Sequence, residues 1–169
     1  MTDNLRLRVA RPSEIERVRE IERASAGRFV GTARAELADD EPTDAATLAQ
    51  RIVSGGLLVA EEGGQAVAFV MFREVESCGY IEQIDVLPSH ERRGIGARLI
   101  EAVAEVARAR GWPALTLSTF KDVPFNAPYY RRLGFADVGT LTPGMAKIRA
   151  EHEARGLDES MRVFMRRAV

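Results

Sequence analysis

Residues 80–110 read YIEQIDVLPSHERRGIGARLIEAVAEVARAR and predict a strand, a short loop and a long helix. The strand covers residues 80–86, a Leu-Pro pair follows it, and the loop 89–97 runs directly into the helix. A helix start exposes several amide N–H groups without internal partners, and the macrodipole makes that end partly positive. How those amides are satisfied therefore decides what this part of the chain can bind.

The first turn of this helix lacks the residues that usually satisfy such amides. Most helices have Ser, Thr, Asp or Asn at this end, and acids in the first turn. Here the positions hold Arg92, Arg93, Gly94, Ile95, Gly96 and Ala97. The first acid within the helix is Glu101. This pattern predicts an anion-binding helix start, for which a phosphate group is the usual ligand, although a plain loop-to-helix turn would also explain the two glycines.

The composition is that of a globular protein. The chain has 169 residues, which predicts one domain over 1–169, and 46% of them are hydrophobic and 29% charged. The formal net charge of −1 gives no general attraction to nucleic acid or to an anionic membrane. One cysteine and two histidines are too few for a disulfide or a metal framework. Neither a signal peptide nor an apolar run of membrane-spanning length is present, so we expect a cytoplasmic protein.

The order of elements predicts an α/β fold. Strands are expected over residues 5–10, 57–61, 66–74, 80–86, 115–119, 135–138 and 162–165. Helices are expected from about 13, and over about 44–53, 96–110, 127–133 and 145–155. Antiparallel hairpins come first, followed by one strand–helix–strand crossover at the loop described above. The expected architecture is a mixed, mostly antiparallel central sheet flanked by helices on both faces.

Two separated signatures resemble those of the GNAT superfamily, the acyl-CoA-dependent N-acetyltransferases. The segment IDVLPSHERRGIGARLI (84–100) is similar to the family's pyrophosphate loop, [Gln/Arg]-x-x-Gly-x-[Gly/Ala]. The segment NAPYYRRLGF (126–135) is similar to the family's Asn…Tyr-x-x-x-Gly-Phe run. The likeness in element order covers nearly the whole chain and is sharpest over 81–135. It implies a GNAT-like sheet with acetyl-CoA as co-substrate.

The resemblance implies a cofactor site in three parts. The amides of residues 92–97 would hold the diphosphate, with Gly94 and Gly96 allowing close approach. The splayed strand end Ile84, Asp85 and Val86 would pair with the pantetheine arm and direct an amide at the thioester oxygen. Asn126 would bond the pantetheine, or could simply cap the helix that follows it. Glu91 stands where the family has Gln or Arg, and we expect it to turn to solvent.

The resemblance also implies a general acid, Tyr130, whose phenol with an ordinary pKa of about 10 is protonated at neutral pH. A packed helix aromatic is the alternative for this residue. The base is predicted to be Glu82 acting through a water, with Asp85 as second choice and water alone as third. Glu82 could equally be a strand residue that is solvated or paired with a side chain on a neighbouring strand. Strand alternation predicts Glu82, Ile84 and Val86 on one face and Asp85 on the other.

The predicted function is acetyl transfer from acetyl-CoA to a primary amine of a small molecule or peptide, by direct attack in a ternary complex. A non-catalytic acyl-CoA sensor of the same fold is the alternative, and a nucleotide- or phosphate-binding protein of another fold is the third. In this family residues corresponding to 20–47 and 140–160 build the acceptor site. The acids of 39–41 suggest a cationic acceptor, although a solvated turn explains them equally well. Family relatives pair through sheet edges or late strands, which suggests a homodimer.

Overall fold

A computed structural model describes residues 4–169, which form one seven-stranded sheet and five α-helices. The strands are Arg6–Val9 (β1), Leu57–Glu62 (β2), Gln65–Val75 (β3), Cys78–Val86 (β4), Ala114–Phe120 (β5), Ala136–Asp137 (β6) and Arg162–Ala168 (β7). The helices are Ile15–Ala26 (α1), Ala45–Ser54 (α2), Ile95–Arg110 (α3), Ala127–Arg132 (α4) and Pro143–Ala154 (α5). The predicted order of strands and helices is confirmed. Within residues 4–169 no helix combines the length and apolarity needed to cross a lipid bilayer.

The sheet is mixed and mostly antiparallel, as the sequence predicts. Its strand order is β1-β2-β3-β4-β5-β7-β6, and β4 with β5 is the parallel pair. The hairpin between β2 and β3 turns at Gly63 and Gly64, whose φ angles of 59° and 82° suit glycine. A parallel pair needs a long crossover connection, and α3 supplies it. The junction at residues 86–95 therefore connects the one parallel pair of strands in the described sheet.

Helices cover both faces of the sheet, which confirms the predicted layers. On one face α3 and α4 pack in a cluster that includes Leu99, Ile100, Ile81, Leu117, Met165 and Tyr130. On the other face α1 and α2 pack in a cluster that includes Val18, Ile21, Leu48, Val59 and Phe69. The helix α5 covers Tyr80 and Phe164, which alternate along their strands with Ile81 and Met165. It therefore lies on the same side as α1 and α2.

Arg8 ties β1 to the entry of α1 and to β2. Its guanidinium donates to both carboxylate oxygens of Glu14, at 2.9 and 2.6 Å, and to Glu61. The Arg8 hydrogen bonds lower the pKa of Glu14 to about 2, from an ordinary value of 4.5. The ionised carboxylate of Glu14 therefore stabilises the folded state.

Replacing Glu14 with glutamine should remove stability that exists only while this carboxylate is ionised. Because the folded pKa lies below the unfolded one, that contribution is complete above about pH 5 and is lost as the pH falls through about 2. Urea unfolding at a series of pH values should show wild type more stable than Glu14→Gln near neutrality. The two proteins should converge towards about pH 2. Glu16→Gln, an exposed change on α1, should make little difference throughout. A Glu14→Gln deficit that stays constant with pH would contradict this assignment.

Candidate active site

The parallel strands β4 and β5 separate after three paired residues. The pairs are Gly79 with Leu115, Tyr80 with Thr116 and Ile81 with Leu117. Beyond them β4 continues to residue 86 and β5 to residue 120 without pairing to each other. A fork therefore opens in the middle of the sheet. The splayed strand end that the resemblance implied for residues 84–86 is a feature of this fold.

The edge of β4 that faces the fork presents the main-chain groups of Ile84 and Val86. The N–H of Leu87 donates to the carbonyl of Val67 on β3 at 2.9 Å. Two residues earlier, Asp85 is paired with Phe69 of β3 in the same register. Main-chain groups alternate along a strand, so Asp85 directs its N–H and C=O at β3 and its two neighbours direct theirs into the fork. An open strand edge of this kind can hydrogen-bond an extended ligand.

A β-bulge at Glu82 reverses the side-chain alternation predicted from the sequence. Two residues of β4 oppose one of β3 at this point. Ile84 and Val86 pack with the α3 cluster, whereas Glu82 bonds Arg51 of α2. The prediction that Glu82 shares a face with Ile84 and Val86 is therefore wrong, because the extra residue shifts the alternation by one. Glu82 and Asp85 both face the side of α1 and α2.

The fork opens into a cleft of about 1040 Å³ that is bounded by α1, α2 and α5. The diverging ends of β4 and β5 form its floor. Of the residues singled out in the sequence, the cleft brings together Glu82, Ile84, Asp85, Asn126 and Tyr130. The fold therefore gathers the predicted acid, the predicted base and the open strand edge around one space.

The start of α3 has the features of an anion-binding site that the sequence predicts. The N-cap residue Gly94 has a φ of 73°, the first turn holds no acid, and no side chain in residues 4–169 caps it. Arg92 also has a positive φ, 59°, and such turns make successive N–H groups converge. Arg93 donates to Glu62 at 2.6 Å. Glu91 is exposed to solvent, as expected.

Gly96 keeps the first turn of α3 open to close approach. A Cβ at this position would lie 3.0 Å from the Tyr129 hydroxyl oxygen and 4.0 Å from Cδ1 of Ile84. The first distance is tighter than nine in ten real Cβ contacts, so a side chain here would require the Tyr129 hydroxyl to move by a few tenths of an ångström. These contacts also show that the helix start and the fork are neighbours. Tyr129 lies against the helix start, whereas Tyr130 lines the cleft.

Tyr130 is buried on α4 with its ring packed edge-on. Only 8% of the residue is exposed, and its ring centroid lies 5.3 Å from that of Tyr129 and 5.9 Å from that of Phe135. Burial raises the pKa of Tyr130 well above its ordinary value of 10. The phenol is therefore protonated at neutral pH and able to donate. Within residues 4–169 its hydroxyl has no hydrogen-bond partner, so the proton is not committed elsewhere.

Asn126 is buried at the N-cap position of α4, but its side chain does not cap the helix. The backbone carbonyl of Asn126 accepts from the N–H of Tyr130 at 3.0 Å, which begins the helix without the amide group. The alternative that Asn126 is a simple helix cap is therefore wrong. Asn126 lines the cleft, so its carboxamide is available to bond a ligand there.

Asp85 is buried behind three donors. Its carboxylate accepts from Ser25 at 2.9 Å, from Nη1 of Arg28 at 2.8 Å and from Gln83 at 2.6 Å. Burial raises the pKa of Asp85, and the charge of Arg28 opposes that shift. Arg28 and Ser25 were not predicted, because they lie about 60 residues away and no local pattern links them to β4. Asp85 therefore holds Arg28 in place at the cleft floor.

Glu82 lies on the cleft floor in a bidentate ion pair. Arg51 donates from Nε to one carboxylate oxygen at 2.6 Å and from Nη2 to the other at 3.0 Å. Nε of Arg73 lies 3.7 Å from the second oxygen. Each carboxylate oxygen has a second lone pair, which can accept from a water in the cleft. Direct contact of Glu82 with a substrate amine would require displacing Arg51.

Comparison with known proteins identifies the family of this fold. A family model described as the acetyltransferase (GNAT) family matches residues 15–135. The PaiA N-acetyltransferase from Thermoplasma acidophilum, solved in complex with coenzyme A, is similar over 98% of this chain and 99% of its own, with a TM-score of 0.74 and 14% identity. Rv2747 from Mycobacterium tuberculosis, solved with CoA and NLQ, is similar over 97% and 99%, with a TM-score of 0.69 and 20% identity.

A third similar structure is the ribosomal-protein-S18-alanine N-acetyltransferase from Escherichia coli. The similarity extends over 98% of this chain and 94% of that protein's chain, with a TM-score of 0.66 and 18% identity. At such identities the structural likeness shows a shared fold. The family match rests on the sequence of residues 15–135, a span that contains the fork, the start of α3 and Tyr130.

Proposed function

The chain belongs to the acetyltransferase (GNAT) family, and on that premise we propose that it transfers an acetyl group from acetyl-CoA to a primary amine. The acceptor is a small molecule or a peptide, and the amine attacks directly in a ternary complex. The observation that carries the proposal is the fork, which leaves the main-chain groups of Ile84 and Val86 open next to a cleft lined by Tyr130.

In this proposal the cofactor runs from the start of α3 to the open edge of β4. The amides of residues 92–97 bind the diphosphate, helped by the positive end of α3 and the exposed cation of Arg92. The open edge at Ile84 and Val86 bonds the pantetheine arm as an added strand, and Asn126 supplies a side-chain bond. The position of Gly96 next to Tyr129 and Ile84 supports this path, because it places the helix start beside the fork.

The chemistry then needs three functions of the chain. The amine nitrogen forms a bond to the thioester carbon, and an open amide of β4 stabilises the oxyanion that develops. As the oxyanion collapses, the carbon–sulfur bond breaks and sulfur takes the electron pair. Tyr130 gives its proton to that sulfur and recovers one from solvent. The new amide nitrogen loses its extra proton to a water.

The acceptor amine must also lose its ammonium proton before its nitrogen can attack, and Glu82 is our proposed acceptor of that proton, through the water that its remaining lone pairs can hold. Glu82→Gln should lower kcat/KM for the amine by about 10²- to 10⁴-fold near neutral pH, the range typical of a positioned general acid or base. The loss should shrink as the pH approaches about 10, where the amine is unprotonated on its own. Because the change also frees Arg51, an equal loss at every pH would indicate a structural role and contradict the assignment. Glu74→Gln, an exposed change on β3, is the control.

The function is tested by following thiol release from acetyl-CoA in the presence of a panel of primary amines, with acetylated product confirmed by mass spectrometry. We expect release that depends on both the enzyme and an amine. Binding of acetyl-CoA in calorimetry without release for any amine would favour the sensor. Equal affinity for nucleotides that lack pantetheine would instead favour a phosphate-binding protein.

A further inference from the structure

Three arginines cross the floor of the cleft, each held over an aromatic ring. The guanidinium carbon of Arg73 lies 5.6 Å from the ring centroid of Tyr80, and those of Arg162 and Arg34 lie 4.4 and 5.4 Å from that of Phe120. We call Arg34, Arg73 and Arg162 the arginine row. Stacking on a ring fixes the plane of a guanidinium and leaves its N–H edge available to a ligand. The row therefore presents oriented cationic donors to the cleft.

Arg162 is the least satisfied member of the row. Its Nη1 donates weakly to the carbonyl and hydroxyl of Ser118, at 3.3 and 3.4 Å. No carboxylate in residues 4–169 lies within 4.0 Å of it. The nearby acid Glu159 is bonded by Nδ1 of His152. Burial lowers the pKa of Arg162, the charge of Arg155 adds to that effect, and Glu159 opposes it. A half-buried cation without a bonded counter-ion favours an anionic ligand.

The other two arginines of the row are both paired, one closely and one loosely. Arg34 donates to Asp122 at 3.1 Å. Arg73 has only the 3.7 Å approach to Glu82, whose oxygens Arg51 already occupies. Arg73 lies over the ring of Tyr80, and both Arg73 and Arg162 act on its phenol electrostatically. Both arginines also line the cleft, so both can contact a ligand bound there.

The carboxylates of the cleft floor are already bonded. Asp85 has three donors and Glu82 has the bidentate Arg51. Asp40 and Glu41 also line the cleft, but they are exposed at its rim. The unused hydrogen-bonding capacity of the floor therefore belongs to cationic donors, and it suits an anion.

We propose that the acceptor amine also carries a carboxylate, as a free amino acid does, and that Arg162 and Arg73 bind that carboxylate. The inference rests on the proposed acetyl transfer and names its substrate class. A guanidinium edge matches a carboxylate with two parallel hydrogen bonds. Tyr80 and Ile84 are four residues apart on β4, about 13 Å of extended chain, which an arginine side chain and a small acceptor can span together. The rim acids attract the ammonium end of the same acceptor.

The experiment compares kcat/KM for free amino acids with kcat/KM for the corresponding amino acid amides. Each pair keeps its side chain and its amine and differs only in the carboxylate. Rates are compared at equal concentrations of unprotonated amine, because the amide is the weaker base. We expect wild type to prefer the acids by at least tenfold. Faster acetylation of the amides, or of amines without a carboxylate, would overturn the inference while leaving acetyl transfer itself established.

Variants locate the preference in the structure. Arg162→Gln should reduce the acid-to-amide ratio about tenfold, and Arg162→Lys should retain part of it. Arg73→Gln tests the second arm if Arg162→Gln does not fold. Arg166→Gln removes the same charge from the same strand at an exposed position and is the matched control. A ratio that survives in both Arg162→Gln and Arg73→Gln would contradict the site. Failure of the wild-type protein to acetylate any amine would instead contradict the proposed function, and this inference with it.

Discussion

Replacing Tyr130 with phenylalanine is expected to lower kcat by about 10²- to 10⁴-fold, the usual range for losing a general acid. Tyr130 keeps its proton because burial raises its pKa, and none of the residues 4–169 bonds its hydroxyl. Removing the oxygen leaves the departing thiolate without a donor. The ring contacts with Tyr129 and Phe135 remain, so folding and cofactor affinity should stay near wild type. Steady-state kinetics and calorimetry with coenzyme A measure the two effects separately.

The matched control removes the same atom one residue earlier. Tyr129 lies against Gly96 at the start of α3 and does not line the cleft. Tyr129→Phe should therefore change coenzyme A affinity if it changes anything, with kcat within a few-fold of wild type. If Tyr130→Phe turns over at the wild-type rate, or if Tyr129→Phe has the larger effect on kcat, Tyr130 is not the acid.

Ala97→Glu is expected to weaken coenzyme A binding by roughly 100-fold. Ala97 is the third residue of the first turn, counted from the N-cap residue Gly94. A glutamate there reaches back to the helix start and repels a diphosphate that approaches the same amides. The same carboxylate satisfies the helix start in the free protein, so the melting temperature should not fall. Calorimetry with coenzyme A and thermal unfolding of the free protein test these opposite effects.

Ala97→Gln has the same shape without the charge and should bind coenzyme A within about tenfold of wild type. The difference in coenzyme A affinity between the two variants isolates the electrostatic effect of the added carboxylate. If Ala97→Glu bound coenzyme A as tightly as Ala97→Gln does, the amides of α3 could not be the diphosphate site. A loss of affinity accompanied by a lower melting temperature would indicate damage to the fold.

The sequence predicted the features that depend on neighbouring residues. The uncapped start of α3 follows from the residue types of positions 92–97, because capping is decided within one turn. The Gly63-Gly64 hairpin, the α3 crossover and the mixed sheet follow from local periodicity and turn chemistry. The register of the second signature singled out Tyr130 as the acid, and Tyr130 lines the cleft.

The sequence did not predict the features that depend on residues far apart along the chain. The bulge at Glu82 is set by the pairing of β3 with β4, which alternation within β4 cannot reveal. The partners of the two predicted carboxylates lie 31 and 57 residues away: Arg51, on α2, bonds Glu82, and Arg28, just after α1, bonds Asp85. The acids of residues 39–41 suggested a cationic acceptor, whereas the cleft floor presents the arginine row, which only the folded sheet assembles.

The most direct measurement is a crystal structure of the protein soaked with acetyl-CoA. We predict that the diphosphate oxygens lie within about 3.2 Å of main-chain amides of residues 92–97, the range of N–H···O bonds. We also predict that the thioester sulfur lies within hydrogen-bond reach of the Tyr130 hydroxyl. A diphosphate bound elsewhere on the molecule, with those amides still in contact only with water, would contradict both the cofactor site and the acid.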